Sequence, residues 1–417
     1  MMDEPTFAFI AEWYDEEAAM ARIFRMIYFP TSTKIQLFEP KTQKMFLRKS
    51  AVDGLKSDDM FVGNTILILS RMFSIKDYAD EFTRKALSSK TERTFAMIKP
   101  DAVKHMGEVI KTIQDRGLKI RAATMAVLTE MQASEFYQEH TGKPFLPTLI
   151  KYVTSGPVLA MQLQGEGVVR QWRTMIGPTD PVQALAEDPT SLRARFGTDK
   201  TYNGFHGSDS TSAALREISI FFPTDRAGKQ FAPRSSATFK GCTCCLIKPH
   251  AIQEGKYLYF KNYAGVPKGQ LGPILSAIQE EGFNISGLEL VRFDRASAAE
   301  FHEIYDGVLY EYMVSLFHVL LEKFTDRSCL QDMVTQLQSG PSVVLEITAG
   351  EKLKQAQSNG DLDIVENFRQ FVGPMDPELA RKIRPKSLRA RFGKTTILNA
   401  LHCTDLADDG ALEVIFF

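Results

Sequence analysis

One short pattern of charged and polar residues is written twice in this chain, and no other property constrains its architecture as tightly. The first copy reads Ile98-Lys99-Pro100-Asp101-Ala102, then Ser191-Leu192-Arg193-Ala194-Arg195-Phe196-Gly197, then Asn203-Gly204-Phe205-His206-Gly207-Ser208-Asp209. The second reads Ile247-Lys248-Pro249-His250-Ala251, then Ser387-Leu388-Arg389-Ala390-Arg391-Phe392-Gly393, then Asn399-Ala400-Leu401-His402-Cys403-Thr404-Asp405. In each copy the histidine follows the first arginine by 13 residues (206 − 193 and 402 − 389). A lysine, an arginine and a histidine repeated at set separations predict two homologous domains carrying two homologous sites. The 417 residues also exceed what one hydrophobic core organises, which is about 250–300 residues.

The copies differ in length. Lysine to lysine is 149 positions, Ser155-Gly156-Pro157 to Ser339-Gly340-Pro341 is 184, and arginine to arginine or histidine to histidine is 196. Copy two therefore gains 35 residues before Ser339 and 12 after Pro341. Aligning Gly107 with Gly272 puts 16 of the 35 near 257–269 and leaves 19 near 314–331. Insertions of this kind are expected on a surface.

The domain boundaries read as 1–90, 91–237 and 238–417. The first segment lacks the pattern and is rich in short aromatic and β-branched runs, at 7–14, 22–29, 34–39, 44–47 and 61–73, punctuated by Pro30, Gly54 and Gly63-Asn64. A terminal helix is expected over 77–87, then a linker at Ser88-Ser89-Lys90. The first repeat begins with a strand, Arg93 to Ile98, ended by Lys99-Pro100. Val109, Ile110 and Ile113 then fall at helical spacing before Gly117, and Ile274, Leu275, Ile278 and Gly282 answer them in copy two. Strands over 119–128 and 158–163 enclose helices around 134–140 and 145–154. This order predicts an α+β sandwich with helices on one side of an antiparallel sheet.

Fifty basic side chains balance 51 acidic ones, so no global field directs the chain to nucleic acid or to an anionic membrane. No apolar run approaches the roughly 18 residues of a membrane span. The acidic start, Met1-Met2-Asp3-Glu4, does not resemble a signal peptide. Five cysteines, Cys242, Cys244, Cys245, Cys329 and Cys403, fit a reducing cytosolic compartment. The Cys242-x-Cys244-Cys245 cluster has no partner pair at metal-ligand spacing, so it reads as buried thiols in a strand.

A neutral imidazole is a good nitrogen nucleophile near pH 7 and can accept a phosphoryl group. A lone histidine in a chain this long is more often a packed side chain. Two histidines in one repeated context, each followed by Ser-Asp or Thr-Asp, point to chemistry. Transfer of a terminal phosphoryl group is mainly positioning and neutralising oxygens, which arginine does bidentately and lysine as a point charge. Lys99, Arg173 and Arg193 supply that set, with Thr179 as a hydroxyl donor. No Walker-type glycine loop is present, so side chains would grip the phosphates.

On these residues both repeats resemble nucleoside diphosphate kinases, over roughly 91–224 and 238–417. The family's N-x-x-H-G-S-D segment is intact in copy one, at Asn203 to Asp209. The resemblance implies a ferredoxin-like fold and ping-pong exchange of a γ-phosphate between nucleoside di- and triphosphates, with Mg²⁺ carried on the ATP or other nucleotide and no side-chain metal ligand. It implies His206 as the phosphohistidine. Lys99, Tyr137, Arg173, Thr179, Arg193 and Asn203 match the family's phosphate, ribose and catalytic contacts. Phe145 and Leu149 match the nucleobase clamp, and Ser208 and Glu217 the groups beside the histidine. Copy two keeps Lys248, Arg369, Arg389, Asn399, His402 and Glu413, but has His302 for the tyrosine, Met375 for the threonine, Tyr310 for the phenylalanine, and Cys403-Thr404 for Gly-Ser. Copy one is therefore expected to be active and copy two weak or inactive, with Cys403 crowding a glycine position.

The N-terminal segment, through Phe9-Ile10-Ala11-Glu12-Trp13-Tyr14-Asp15, Phe46-Leu47-Arg48-Lys49 and Phe61-Val62-Gly63-Asn64, resembles the doublet-microtubule-associated domain, a pleckstrin-homology-like fold. Placed before two kinase repeats, it resembles the axonemal branch of the family. That implies attachment to ciliary or flagellar doublet microtubules, with tubulin and other axonemal proteins as partners and neither nucleic acid nor membrane. The alternative from a different class is a structural microtubule-associated (inner) protein of the axoneme whose kinase domains are weak or vestigial.

Overall fold

A computed structural model describes the chain except residues 1–4, 16–17, 19, 53–54, 56, 70, 88–91, 224–225, 253–268, 304–326 and 357–362. Gly54, the 88–90 linker, Tyr310 and most of both expected insertions lie outside the described residues. The chain forms two compact units. One comprises Met1–Thr94, Gln164–Gln171 and Asp209–Ala232, the other Phe95–Leu163, Trp172–Ser208 and Pro233–Phe417. Among the described residues no helix is long and apolar enough to cross a membrane.

The first unit holds a six-stranded sheet in the order β4-β3-β2-β1-β6-β5. Its strands are β1 Phe7–Asp15, β2 Met20–Phe29, β3 Lys34–Glu39, β4 Lys44–Ala51, β5 Thr65–Ile68 and β6 Arg71–Tyr78. Alternation of side chains puts Phe9, Phe24, Met26, Ile35, Leu37, Phe73 and Ile75 on one buried face. The single run expected over 61–73 is two strands, because the chain turns between Ile68 and Arg71. The expected terminal helix starts later, at Glu81–Leu87. The residues before it pair with β1, so ladder hydrogen bonds outweigh their helical spacing.

The second unit is built on a nine-stranded sheet in the order β10-β7-β9-β8-β13-β14-β12-β15, with β11 beside β8. The first repeat contributes β7 Arg93–Ile98, β8 Lys119–Val127, β9 Val158–Gln164 and β10 Phe205–Gly207. The second contributes β12 Cys242–Ile247, β13 Phe283–Arg292, β14 Pro341–Ala349 and β15 Leu401–Cys403, and β11 is Arg234–Ser235. Within each repeat the strands run fourth, first, third, second. With a helix following the first and third strands, this is the ferredoxin-like order expected from the resemblance. Helix Met106–Asp115 carries the predicted apolar face and Gly117 closes it at φ 73°, while Leu271–Glu281 ends on Gly282 at φ 106°.

The repeats join through their second strands, with Thr124 of β8 opposite Glu289 of β13. The helices Met106–Asp115 and Leu271–Glu281 pack together above that seam. A Cβ on Gly107 would lie 2.4 Å from Ser276 N, and one on Gly272 2.4 Å from Lys111 N, so only glycine permits this approach. Gln114 spans the junction, its Nε2 donating to Ile252 O at 3.0 Å and its Oε1 accepting from Gly272 N at 3.1 Å. The connecting segment is stitched down as well: Ser236 N donates to Met125 O at 3.1 Å, and the buried Glu346 carboxylate accepts from Thr238 N at 2.8 Å and Phe239 N at 2.6 Å.

Candidate active site

In the first repeat the strand ends gather the chemistry. β10 pairs antiparallel with β7, which places His206 opposite Met97, and Lys99 N donates to Gly204 O at 2.8 Å. The lysine at the end of β7 is thereby set beside the turn that leads into the histidine. Lys99 is buried and its Nζ donates to Asn203 Oδ1 at 2.9 Å. Burial first, and the Arg193 charge second, push its ammonium down to about 7. Asn203 Nδ2 in turn donates to Lys200 O at 2.9 Å.

Arg193 reaches the same place from helix Leu192–Phe196. Its Nη1 donates to Gly177 O at 2.6 Å and its Nη2 to Phe205 O at 3.0 Å, while Nε is buried without a hydrogen-bond partner. Burial, then the charge of Arg173, lower its pKa to about 10. Two guanidinium groups and a desolvated ammonium held this closely form a site that an anion would stabilise. The contact to Gly177 also draws in the bend carrying exposed Thr179, ahead of helix Pro181–Glu187, which Asp180 caps through Val182 N at 3.0 Å.

His206 is framed by rings. Phe136 meets it edge-on at 5.0 Å between centroids and Tyr137 edge-on at 5.9 Å, with Phe95 tilted against it at 6.0 Å. Phe136 and Tyr137 arrive there because Thr129 starts their helix with a capping box: Thr129 Oγ1 accepts from Gln132 N and Thr129 N donates to Gln132 Oε1. Behind the histidine, Trp172 Nε1 donates to His206 O at 2.9 Å. Phe95 N donates to Ser208 Oγ at 3.2 Å, which ties the following turn to β7. Phe145 is 46% exposed at the start of helix Leu146–Val153, with Leu149 buried one turn later. An exposed aromatic over a buried leucine is a surface on which a flat base can stack. Glu217 is buried on helix Thr211–Phe221, which belongs to the first unit.

The family profile described as nucleoside diphosphate kinase matches this chain twice, over residues 92–227 and 241–417. The chain belongs to the nucleoside diphosphate kinase family. It is 40% identical over 411 residues to nucleoside diphosphate kinase homolog 7 of Rattus norvegicus, covering 99% of this chain and 92% of that one. The corresponding mouse protein is 39% identical with the same coverage. A nucleoside diphosphate kinase of Bdellovibrio bacteriovorus is 46% identical over 133 residues, which is 31% of this chain and 92% of that one.

In the second nucleoside diphosphate kinase repeat, His402 is held by a carboxylate and a hydroxyl network. His402 Nε2 lies 3.0 Å from Glu413 Oε2, and Thr404 Oγ1 donates to the same oxygen at 3.0 Å. With Nε2–H directed at Glu413, the basic nitrogen is Nδ1. Phe301 stands edge-on to His402 at 5.1 Å, as Phe136 does to His206. Arg389 keeps the carbonyl grip, Nη1 to Gly373 O at 2.9 Å and Nε to Leu401 O at 3.2 Å. Arg369 turns to Asp405, its Nη1 donating to Asp405 O at 2.7 Å.

Two of the changed residues in this repeat are accommodated locally. Thr404 replaces serine without changing its work, since its Oγ1 accepts from Cys244 N at 3.0 Å, as Ser208 does from Phe95. Cys403 was expected to crowd. A Cβ on Gly207 would indeed meet Trp172 Cδ1 at 2.5 Å, but the register puts the smaller Phe368 where the first repeat has Trp172. The phosphate side differs more. Lys248 Nζ donates to Ile397 O at 3.3 Å, Asn399 Nδ2 to Met375 O at 3.4 Å, and Asn399 Oδ1 is buried without a partner. His302 is buried, and desolvation, then Lys248 and His402, lower its pKa to about 3. Cys242, Cys244, Cys245 and Cys403 are buried free thiols. Burial pushes them up, Cys242 and Cys403 to about 11. Among the described residues no cluster of three His, Cys, Asp or Glu is placed to hold a metal ion.

Sequence reasoning missed Phe136, Asp101, Trp172 and Tyr152. Phe136 and Phe301 each precede the aligned Tyr137 and His302, so the repeat itself marked them.

Proposed function

We propose that the first repeat exchanges the γ-phosphoryl group between nucleotides through His206. An imidazole nitrogen attacks the γ-phosphorus of a nucleoside triphosphate, the bond to the β–γ bridging oxygen breaks, and the diphosphate leaves. A terminal oxygen of a second nucleoside diphosphate then attacks the phosphorus, the N–P bond breaks, and the imidazole is restored. Lys99, Arg173, Arg193 and Thr179 hold phosphate oxygens, Asn203 orients Lys99, and Tyr137 lies beside the histidine. Phe145 and Leu149 hold the base, Ser208 steadies the turn after the histidine, and Glu217 is carried over only as the family's other group beside it. Mg²⁺, carried in on the nucleotide, neutralises phosphate charge.

The observation that supports this most is Arg193 Nε, buried without a partner in a site that also desolvates Lys99. Phosphate oxygens would satisfy both. The second repeat is read as weak, because Met375 stands at the threonine's position and Asn399 Oδ1 is left unpartnered. Incubation with γ-labelled ATP should give an acid-labile label on the His206 peptide, lost in His206→Ala. A label that persists at the same level in that variant overturns the assignment.

The same reading places the chain on ciliary or flagellar doublet microtubules through its N-terminal module. Its support is the likeness of that module's three motifs to the doublet-microtubule-associated domain. The full chain should co-sediment with isolated doublets, and its remaining in the supernatant overturns this placement.

A further inference from the structure

We propose that Tyr152 is a positioning residue of the first site, holding both the Asn203-Gly204 turn that delivers His206 and the ammonium of Lys99. The second repeat replaces it with a pair, His250 and Gln336, that does only the first of these tasks. This rests on the kinase reading above.

Tyr152 is fully buried on helix Leu146–Val153. Its hydroxyl donates to Asp101 Oδ1 and accepts from Gly204 N at 3.4 Å. The other Asp101 oxygen, Oδ2, is buried without a partner. The Tyr152 phenol is pushed well above its usual range by burial and then by Asp101, so it remains the donor. Lys99 Nζ lies 5.4 Å from the centre of the Tyr152 ring, within cation–π range. One side chain thus touches the lysine, the carboxylate two residues after it and the turn before the histidine.

The repeat offsets of 149, 184 and 196 put His250 at Asp101, Gln336 at Tyr152 and Ala400 at Gly204. All three partners have changed together. Ala400 N donates to His250 Nε2 at 3.1 Å, and the Gln336 carboxamide lies 3.0 Å from His250 Nδ1. The turn's N–H is still satisfied, now by imidazole in place of phenol. No aromatic face replaces the Tyr152 ring at position 336. Accordingly Lys248 Nζ donates to Ile397 O, and Asn399 Oδ1 has no partner, whereas Lys99 Nζ reaches Asn203 Oδ1.

The test uses the full chain, single-turnover labelling with γ-labelled ATP, mapping of the label to the His206 peptide, and steady-state kcat and KM. Tyr152→Phe keeps the ring and loses the hydroxyl. It should phosphorylate His206 about tenfold more slowly with KM for ATP little changed. Tyr152→Gln loses both features and should also raise KM. Adding Asp101→His to Tyr152→Gln transplants the second repeat's pair, and should recover most of the lost rate without recovering KM. Thermal unfolding of each variant separates these effects from loss of folded protein. A Tyr152→Phe rate equal to wild type, or a double variant no faster than Tyr152→Gln, overturns the proposal. An unlabelled His206 in the wild-type chain would instead overturn the kinase reading, and this inference with it.

Discussion

Among the cations of the first site, Lys99 is displaced furthest from its ordinary titration. Its ammonium ordinarily titrates near 10.5, and burial with Arg193 nearby brings it to about 7. An unfolded lysine keeps its proton across that interval while the folded one loses it, so the free chain gains stability from this group as pH rises from about 7 toward 10. Nucleotide binding has the opposite preference, because phosphate oxygens favour the charged ammonium. Binding should therefore take up a proton at pH 8 and far less at pH 6. Calorimetry in buffers of different ionisation enthalpy measures this directly. Uptake at pH 8 that survives in Lys99→Met would place the titrating group elsewhere.

Among the elements, helix Val168–Ile176 and strand β10 meet where Gly207 leaves room for Trp172. In the second repeat, helix Ile364–Val372 packs on β15 with Phe368 and Cys403 at those positions. The two positions behave as one unit of volume, large with none or medium with small. Gly207→Cys alone should destabilise the chain by about 1–3 kcal/mol through overpacking. Combined with Trp172→Phe it should cost clearly less than the sum, because the ring that would be struck is smaller. Urea unfolding of both single variants and the double variant measures the coupling, and strict additivity would refute it.

For the whole second unit, the two repeats share one sheet and one helix seam, and the segment between them is held by a carboxylate. Glu346 accepts two backbone N–H bonds from Thr238 and Phe239 and a hydroxyl bond from Ser286. Glu346→Ala would leave these donors unmet next to a buried position, at a cost of about 2–3 kcal/mol. The effect should appear in denaturant unfolding as a lower midpoint, while the rate of His206 labelling in the folded fraction stays unchanged. A midpoint within error of wild type would mean that the sheet pairing alone holds the segment.

Much of this was readable from residue order. Arg93 to Ile98 and Lys34 to Glu39 form strands with the expected bounds, because their alternation or continuous burial leaves one periodicity available. The lysine, arginine and histidine of each copy converge as the repeat required. The late start of helix Glu81–Leu87 was not readable, since pairing with β1 lies far away in sequence. Nor was Tyr152 visible as a site residue, for a tyrosine in an apolar helix looks like core until its hydroxyl is seen between Asp101 and Gly204. Spacing along the chain determined the two repeats, their α+β class and the lysine, arginine and histidine that recur in both. Only the tertiary structure decided which of those side chains lose their water, because desolvation depends on neighbours brought in from distant positions.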